Sequence, residues 1–273
     1  MHPILVTLGT TPFWSHAVFV AAGVAIALAM TWRVARVRRR ATQELLWVIA
    51  GGLVGGAIFA KYGLLVRYVQ DAVDPSMMGF LSYGGRSLLG GMAGAYAGVV
   101  LTKRLVGYAG HTGDLLVPGV ALGIAVGRIG CHLAEMPGTV TTLPWGVHVP
   151  ATFADRLRDC IACRSGAAMH PSFLYESLFL LLAAVWLYPR ARGATYPAAW
   201  MRDGDLFKCF LLAYAIFRFL VEFVRGNPVM LWGLSGSQLT VLPAIVLLIL
   251  YFSRSAGRNG ATRPVETLRV PAR

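Results

Sequence analysis

The chain has 273 residues, of which 56% are apolar and only 14% charged, with a mean hydropathy of +0.62. A soluble domain carries nearer a quarter charged residues and needs far less apolar sequence, so these values exclude a pair of soluble domains and predict one membrane-embedded bundle. The formal net charge of +13 raises nucleic-acid binding as a class, but the placement of the charge along the chain argues against it.

The first 32 residues contain no Lys, Arg, Asp or Glu, so the first apolar stretch, 13–32, has no basic leader of the signal-peptide kind. Arg33, Arg36, Arg38, Arg39 and Arg40 follow it. That order predicts a retained helix with its N-terminus outside. Further apolar segments fall at 45–68, 87–102, 114–134, 172–188, 205–225 and 238–253, and roughly 20 residues cross a hydrocarbon core. The expected fold is all-α: a polytopic bundle of about seven transmembrane helices forming one domain over 1–253. With the N-terminus outside, the intervening pieces expected in the cytoplasm hold fifteen Lys/Arg, and those outside hold four. Basic residues concentrate on the cytoplasmic side of membrane proteins, so the excess charge orients the bundle and meets anionic lipid. The N-terminus is then periplasmic and the C-terminus cytoplasmic, in a bacterial inner membrane. No nucleic acid is expected as a partner.

Glycines recur inside these segments: Gly51, Gly52, Gly55 and Gly56 in the second, Gly90, Gly94 and Gly98 in the third. Close packing of helices through small residues is the main reading. For Gly84-Gly85 and Gly90-Gly91, backbone N–H groups presented to a phosphate are the rival. The segment 135–171, with Pro137, Gly138, Pro144, Gly146 and Pro150, reads as an external loop or small cap, with Trp145 and Trp14 as interfacial anchors. Residues 254–273 read as a flexible basic tail.

Three motifs carry polar groups into this apolar frame. Tyr214, Arg218, Glu222 and Arg225 are spaced by four, four and three, which places them on one stripe of a helix. Ionisable groups at membrane depth are expensive and rarely face lipid. Either Arg218 and Glu222 staple helices while Arg225 reaches the interface, or the stripe faces a substrate. Gly127-Arg128-Ile129-Gly130-Cys131-His132-Leu133-Ala134-Glu135 closes the fourth segment. Its arginine can grip a phosphate in bidentate fashion or sit at the interface. His170-Pro171-Ser172-Phe173-Leu174-Tyr175-Glu176 suits a helix start, with Tyr175 and Glu176 in the first turns. Three arginines and three carboxylates toward the outer half of a bundle point to an anionic ligand resident in the membrane, with a phospholipid headgroup as the obvious class.

These motifs, in this order, resemble the prolipoprotein diacylglyceryl transferase family over nearly the whole chain. The resemblance begins at Met1-His2-Pro3-Ile4. It runs through Gly84-Gly85-Arg86-Ser87-Leu88-Leu89-Gly90-Gly91, Gly127-Arg128-Ile129-Gly130 and Leu143-Pro144-Trp145-Gly146 to the His170 and Tyr214 motifs. It implies transfer of a diacylglyceryl group from phosphatidylglycerol to the lipobox cysteine of a preprolipoprotein, with glycerol phosphate leaving. It also implies seven spans, a periplasmic head region, and no metal or organic cofactor. Carried over by position, Arg128 and Arg218 hold the phosphate, Glu222 orients Arg218, and Tyr214 and Glu135 line the site. Arg86, Gly90, Gly91, His170, Tyr175, Glu176 and Arg225 are the expected substrate contacts.

The chain departs from the family pattern at several positions. Leu89 stands where the pattern has a histidine proposed to take the thiol proton. Cys131 replaces an asparagine, Phe173 an often-seen glutamine, and Arg86 is unusual in its loop. Leucine cannot accept a proton, so His132, His170 or Glu135 is the base, or proton removal is dispensable, or the acceptor differs. The alternatives to the main reading are therefore a phosphatidylglycerol-using paralogue with another acceptor, and a non-catalytic lipid-binding or transport protein. Cys160 and Cys163 read as a local disulfide, as free thiols, or as part of a metal site lacking further ligands. Cys131 and Cys209 read as buried thiols, and His2, His16 and His111 suggest no partner.

Overall fold

A computed structural model describes residues 2–9, 11–71, 88–149 and 166–260. Within these residues seven α-helices run at α1 Ser15–Val37, α2 Gln43–Asp71, α3 Leu88–Leu105, α4 Gly113–Ala134, α5 Ser172–Gly193, α6 Asp205–Val221 and α7 Gly236–Gly260. Five are long and apolar enough to cross a membrane: Ser15–Val37, Gln43–Ala60, Gly113–Ala134, Ser172–Gly193 and Gly236–Gly257. Every apolar segment read from the sequence overlaps one of the seven helices. Leu182, Val185, Leu220, Val246 and Leu247 point outward, which suits a surface bathed in lipid rather than water.

The chain forms two compact units, one of Met1–Val34 with His111–Arg273 and one of Ala35–Gly110. The smaller holds α2 and α3, packed through glycine. A methyl group built on Gly55 would lie 2.3 Å from the Gly94 carbonyl, and one on Gly98 only 2.1 Å from that of Gly51. Backbones this close leave no room for a side chain, so the seam does what small-residue interfaces do in membranes. Gly91 belongs to it too, facing Ala60. The helix-packing reading therefore holds for Gly51, Gly52, Gly55, Gly56, Gly94 and Gly98, while Gly84 and Gly85 lie outside the described residues.

In the larger unit the same device joins α1 to α4. A methyl on Gly23 would meet the Gly123 carbonyl at 2.4 Å, and one on Gly119 the Ala27 carbonyl at 2.5 Å. At the other end of the seam, a methyl on Gly130 would touch Phe19, His16 and Ser15. The first turn of α1 is thereby drawn against the last turns of α4. The opposite end of α4 is held by Asp114, which is fully buried and accepts the backbone N–H groups of Gly204 at 2.8 Å and Phe207 at 3.1 Å. A carboxylate there serves the open N–H groups of α6 and favours its dipole.

Three short antiparallel ribbons complete the larger unit: β1 Ile4–Leu8 with β2 Thr11–Trp14, β3 Val147–His148 with β4 Ala168–Met169, and β5 Val229–Leu231 with β6 Leu234–Ser235. Apart from the end of β2, which overlaps the first apolar stretch, the ribbons fall where hydropathy marks no span. Trp14 and Trp145 are both exposed, as interfacial anchors need to be. The residues after α4 are stitched into this head region: Gly138 N–H donates to the His170 carbonyl at 2.7 Å, Thr139 N–H to the Val224 carbonyl at 2.8 Å, and Thr141 N–H to the Ala168 carbonyl at 2.8 Å.

Candidate functional site

Helices α4, α5 and α6 bring a compact polar cluster into the larger unit. Its centre is Glu176, in the second turn of α5, whose side chain is fully buried. One oxygen accepts from Arg128 of α4 at 2.8 Å and from the Tyr214 hydroxyl of α6. The other accepts from Arg225 at 3.3 Å. Beside it, Glu222 pairs with Arg218 one turn away and also accepts from Asn227 at 2.6 Å and Ser235 at 2.8 Å.

The stripe expected along the sixth segment is interrupted. Helix α6 ends at Val221, and Glu222–Val224 tightens into a 3-10 turn. Gly226 follows with φ of 72°, a left-handed conformation that stops a helix. Arg225 is carried off the stripe and turns to Glu176 of α5, while still lying 3.9 Å from Glu222. Tyr214, Arg218 and Glu222 keep the spacing that a helix dictates.

Charge decides what the cluster can hold. Three guanidinium groups face two carboxylates, an excess of one cation where the side chains are at most 13% exposed. Burying an uncompensated charge is costly, so an anion that completes the balance is strongly favoured. Among the described residues, the buried Nε of Arg128 has no hydrogen-bond partner, a donor left over for such an anion. Phe173 lies under this layer, its ring 4.4 Å from the Arg225 guanidinium and 5.8 Å from that of Arg128. An aromatic face lets two like charges share a small volume.

The other expected residues distribute as follows. Tyr175 points to the head region, where its hydroxyl accepts from Trp145 at 2.8 Å and lies 3.2 Å from His170 Nδ1. Glu135 is not in the arginine cluster; it is exposed and its carboxylate lies 3.6 Å from His16 Nδ1. Gly90 and Gly91 lie at the start of α3 in the smaller unit. Arg86, Cys160 and Cys163 lie outside the described residues. For Leu89 only the backbone is described, in the first turn of α3. Two residues stand out more than their local sequence suggests. Glu176 collects donors from two other helices, which its position after a proline and a serine does not announce. His16 meets Cys131, whose sulfur is 3.5 Å from its Nδ1.

Gly138 sits where the head region meets the end of α6. A methyl there would lie 1.9 Å from the Val224 carbonyl, two residues from Glu222. Gly138→Ala is expected to cost about 1–3 kcal/mol by forcing those two segments apart. Gly257→Ala, which meets open space, should cost nothing measurable. Thermal unfolding in detergent compares the two, and equal melting would refute the packing argument.

A mostly helical chain with five helices long and apolar enough to cross a membrane and a buried polar cluster between helices has the character of a membrane protein with a functional polar site. Residues 3–254 match the family model for prolipoprotein diacylglyceryl transferase. The chain belongs to the prolipoprotein diacylglyceryl transferase family. It is 29% identical over 255 residues to the phosphatidylglycerol–prolipoprotein diacylglyceryl transferase of Synechococcus elongatus, covering 91% of this chain and 85% of the relative. It is 33% identical to the enzyme of that name from Roseobacter denitrificans, over 77% of this chain and 75% of the relative. For that of Cereibacter sphaeroides strain ATCC 17029 the identity is 34%, over 77% and 76%.

Proposed function

We propose that the protein transfers a diacylglyceryl group from phosphatidylglycerol to the lipobox cysteine thiol of a preprolipoprotein, releasing glycerol phosphate, in the bacterial inner membrane. The observation that carries the proposal is the buried excess of one guanidinium in the Arg128, Arg218, Arg225, Glu176 and Glu222 cluster. A phosphodiester carries a single negative charge and fits that deficit. Family membership supplies the reaction.

In this reading Arg128 and Arg218 bind the headgroup phosphate and stabilise the charge that gathers on it as the carbon–oxygen bond breaks. Glu222, held by Asn227 and Ser235, orients Arg218. Glu176 orients Arg128, Arg225 and Tyr214 together. The bundle crosses the membrane seven times, N-terminus outside and C-terminus inside. The fifteen-to-four distribution of basic residues supports that orientation.

Leu89 favours one second reading, a paralogue that uses the same lipid with a different acceptor. Complementation of a strain depleted of its transferase, with mass analysis of a model lipoprotein, separates the two. The expected result is diacylglyceryl addition to the lipobox cysteine. A well-expressed protein that leaves the lipoprotein unmodified would sink the first reading. In the same strain Leu89→His is expected to keep or raise activity, because it restores a proton acceptor at that position. A loss would mean that the leucine side chain is itself required.

A further inference from the structure

Outside the arginine cluster, the β5–β6 hairpin presents apolar side chains that the protein itself leaves uncovered. Val229, Met230 and Leu231 are at least half exposed. Among the described residues no large apolar side chain is more exposed than Trp232 at the tip, at 83%. Such exposure is not general to the ribbons, since β4 buries Met169 completely. The tip is also built against its own backbone preference. Leu231 pairs with Leu234, so Trp232 and Gly233 form a two-residue loop, with φ of 51° and 75°. Positive φ at both central positions marks the tight hairpin turn that favours Asn-Gly. Glycine enters that region freely, whereas a bulky side chain there is strained. A tryptophan in the asparagine position packs little against the protein, so what offsets its strain lies outside.

A lipid surface fits that need. From Gly226 to Ser253 there is no Lys, Arg, Asp or Glu, so the hairpin continues without a charge into α7, a helix long and apolar enough to cross a membrane. Val246, Leu247 and Leu250 of α7 point outward, so the same uncharged segment is already lipid-facing along the helix. In the orientation proposed above, the hairpin lies at the outer face. Tryptophan is enriched at that level, where an apolar ring meets acyl chains and one N–H meets headgroups. A patch made for a soluble partner has a polar rim, and this one has no charge on either strand. The base of the hairpin is held firmly. The Ser235 hydroxyl and the Asn227 amide donate to one Glu222 oxygen at 2.8 and 2.6 Å. Gln238 accepts from the Ser235 N–H at 2.9 Å and donates to the Phe219 carbonyl at 3.2 Å. Glu222 in turn pairs with Arg218. A short run of hydrogen bonds thus connects the apolar tip to the arginine cluster.

We propose that the β5–β6 hairpin is seated in the outer leaflet, with Trp232 inserted where headgroups meet acyl chains, and that this seat fixes the depth at which Arg218 meets an anionic headgroup. The second half rests on the function proposed above. The phosphates of a leaflet occupy a thin layer. A cluster held above or below that layer would have to pull the lipid along the bilayer normal, exposing its chains to water or burying its charge. Trp232 is then a positioning residue. It touches no reacting atom and acts through Ser235, Asn227 and Glu222.

The test uses the full-length protein in phosphatidylcholine vesicles with brominated acyl chains. The emission of Trp232, taken as the difference between the unmutated protein and Trp232→Phe, should be quenched by the brominated chains and shielded from aqueous iodide. Emission quenched by iodide and untouched by bromine overturns the seat. Shielding that arises only when a lipobox peptide with its signal segment is added assigns the surface to the peptide and overturns it equally. Trp232→Asn then tests the positioning. Asparagine suits the turn, so in detergent this variant should melt at or above the unmutated protein; a lower melting temperature would mean that the ring packs on the protein, and the lipid seat falls. In vesicles containing phosphatidylglycerol, its transfer to a lipobox peptide should drop about tenfold or more, since misplacement by about 1 Å can cost about 10²-fold. In micelles, which mould to the protein and impose no fixed depth, its transfer should match the unmutated protein. Full transfer by Trp232→Asn in vesicles, or the same loss in micelles, overturns the depth role. The quenching readout does not depend on turnover, so its failure leaves the transferase reading to the complementation assay.

Discussion

Arg218→Ala is expected to lower diacylglyceryl transfer by about 10²–10³-fold or more, the loss seen when one donor to a developing oxyanion is removed. The protein should still fold. Glu222, the partner of Arg218, keeps its bonds from Asn227 and Ser235 and is not stranded. The effect should therefore appear in kcat rather than in yield or melting temperature. Arg218→Lys should recover only part of the loss, because an ammonium supplies charge without the planar fork that grips two oxygens. Transfer to a lipobox peptide in detergent, with phosphatidylglycerol as donor, measures both variants. Wild-type turnover in Arg218→Ala would remove the phosphate site from this part of the molecule.

Glu176→Ala should have the opposite signature, a large loss of stability. It strips the shared acceptor from Arg128, Arg225 and Tyr214, which come from two helices and the turn after α6. Breaking a buried ion pair by deleting one partner costs about 3–5 kcal/mol, because the remaining charge stays buried and unpaired. Here Arg128 is left without its carboxylate, and Arg225 keeps only its 3.9 Å approach to Glu222. Glu176→Gln should lie between, since an amide oxygen still accepts but no longer offsets charge. Thermal unfolding in detergent gives the order wild type, Glu176→Gln, Glu176→Ala. If the alanine variant melted with the wild type, Glu176 would not be the keystone of the cluster.

Helix positions were legible because hydropathy is a local property. Lipid-facing and buried residues alike are apolar, so each helix marks itself along its own length. The Arg218–Glu222 pair was legible for a similar reason, since helix geometry alone places residues four apart together. The sequence leaves less sign of where helices stop, and Glu222 proved to open a 3-10 turn that sends Arg225 elsewhere. The centrality of Glu176 was hidden more deeply. Its donors lie 38 to 49 residues away in sequence, and no spacing rule links α4, α5 and the end of α6. His16 was unreadable on the same grounds. Its partners are more than a hundred residues distant, brought close by a glycine whose purpose only the packing reveals.

Phe173 has one further consequence. Its ring occupies one face of the Arg225 guanidinium and approaches Arg128 from the same layer. In the proposed function this bars a phosphate from the face of Arg225 that the ring covers, so Arg225 can meet a headgroup only edge-on or from its other face. Phe173→Ala would open that covered face.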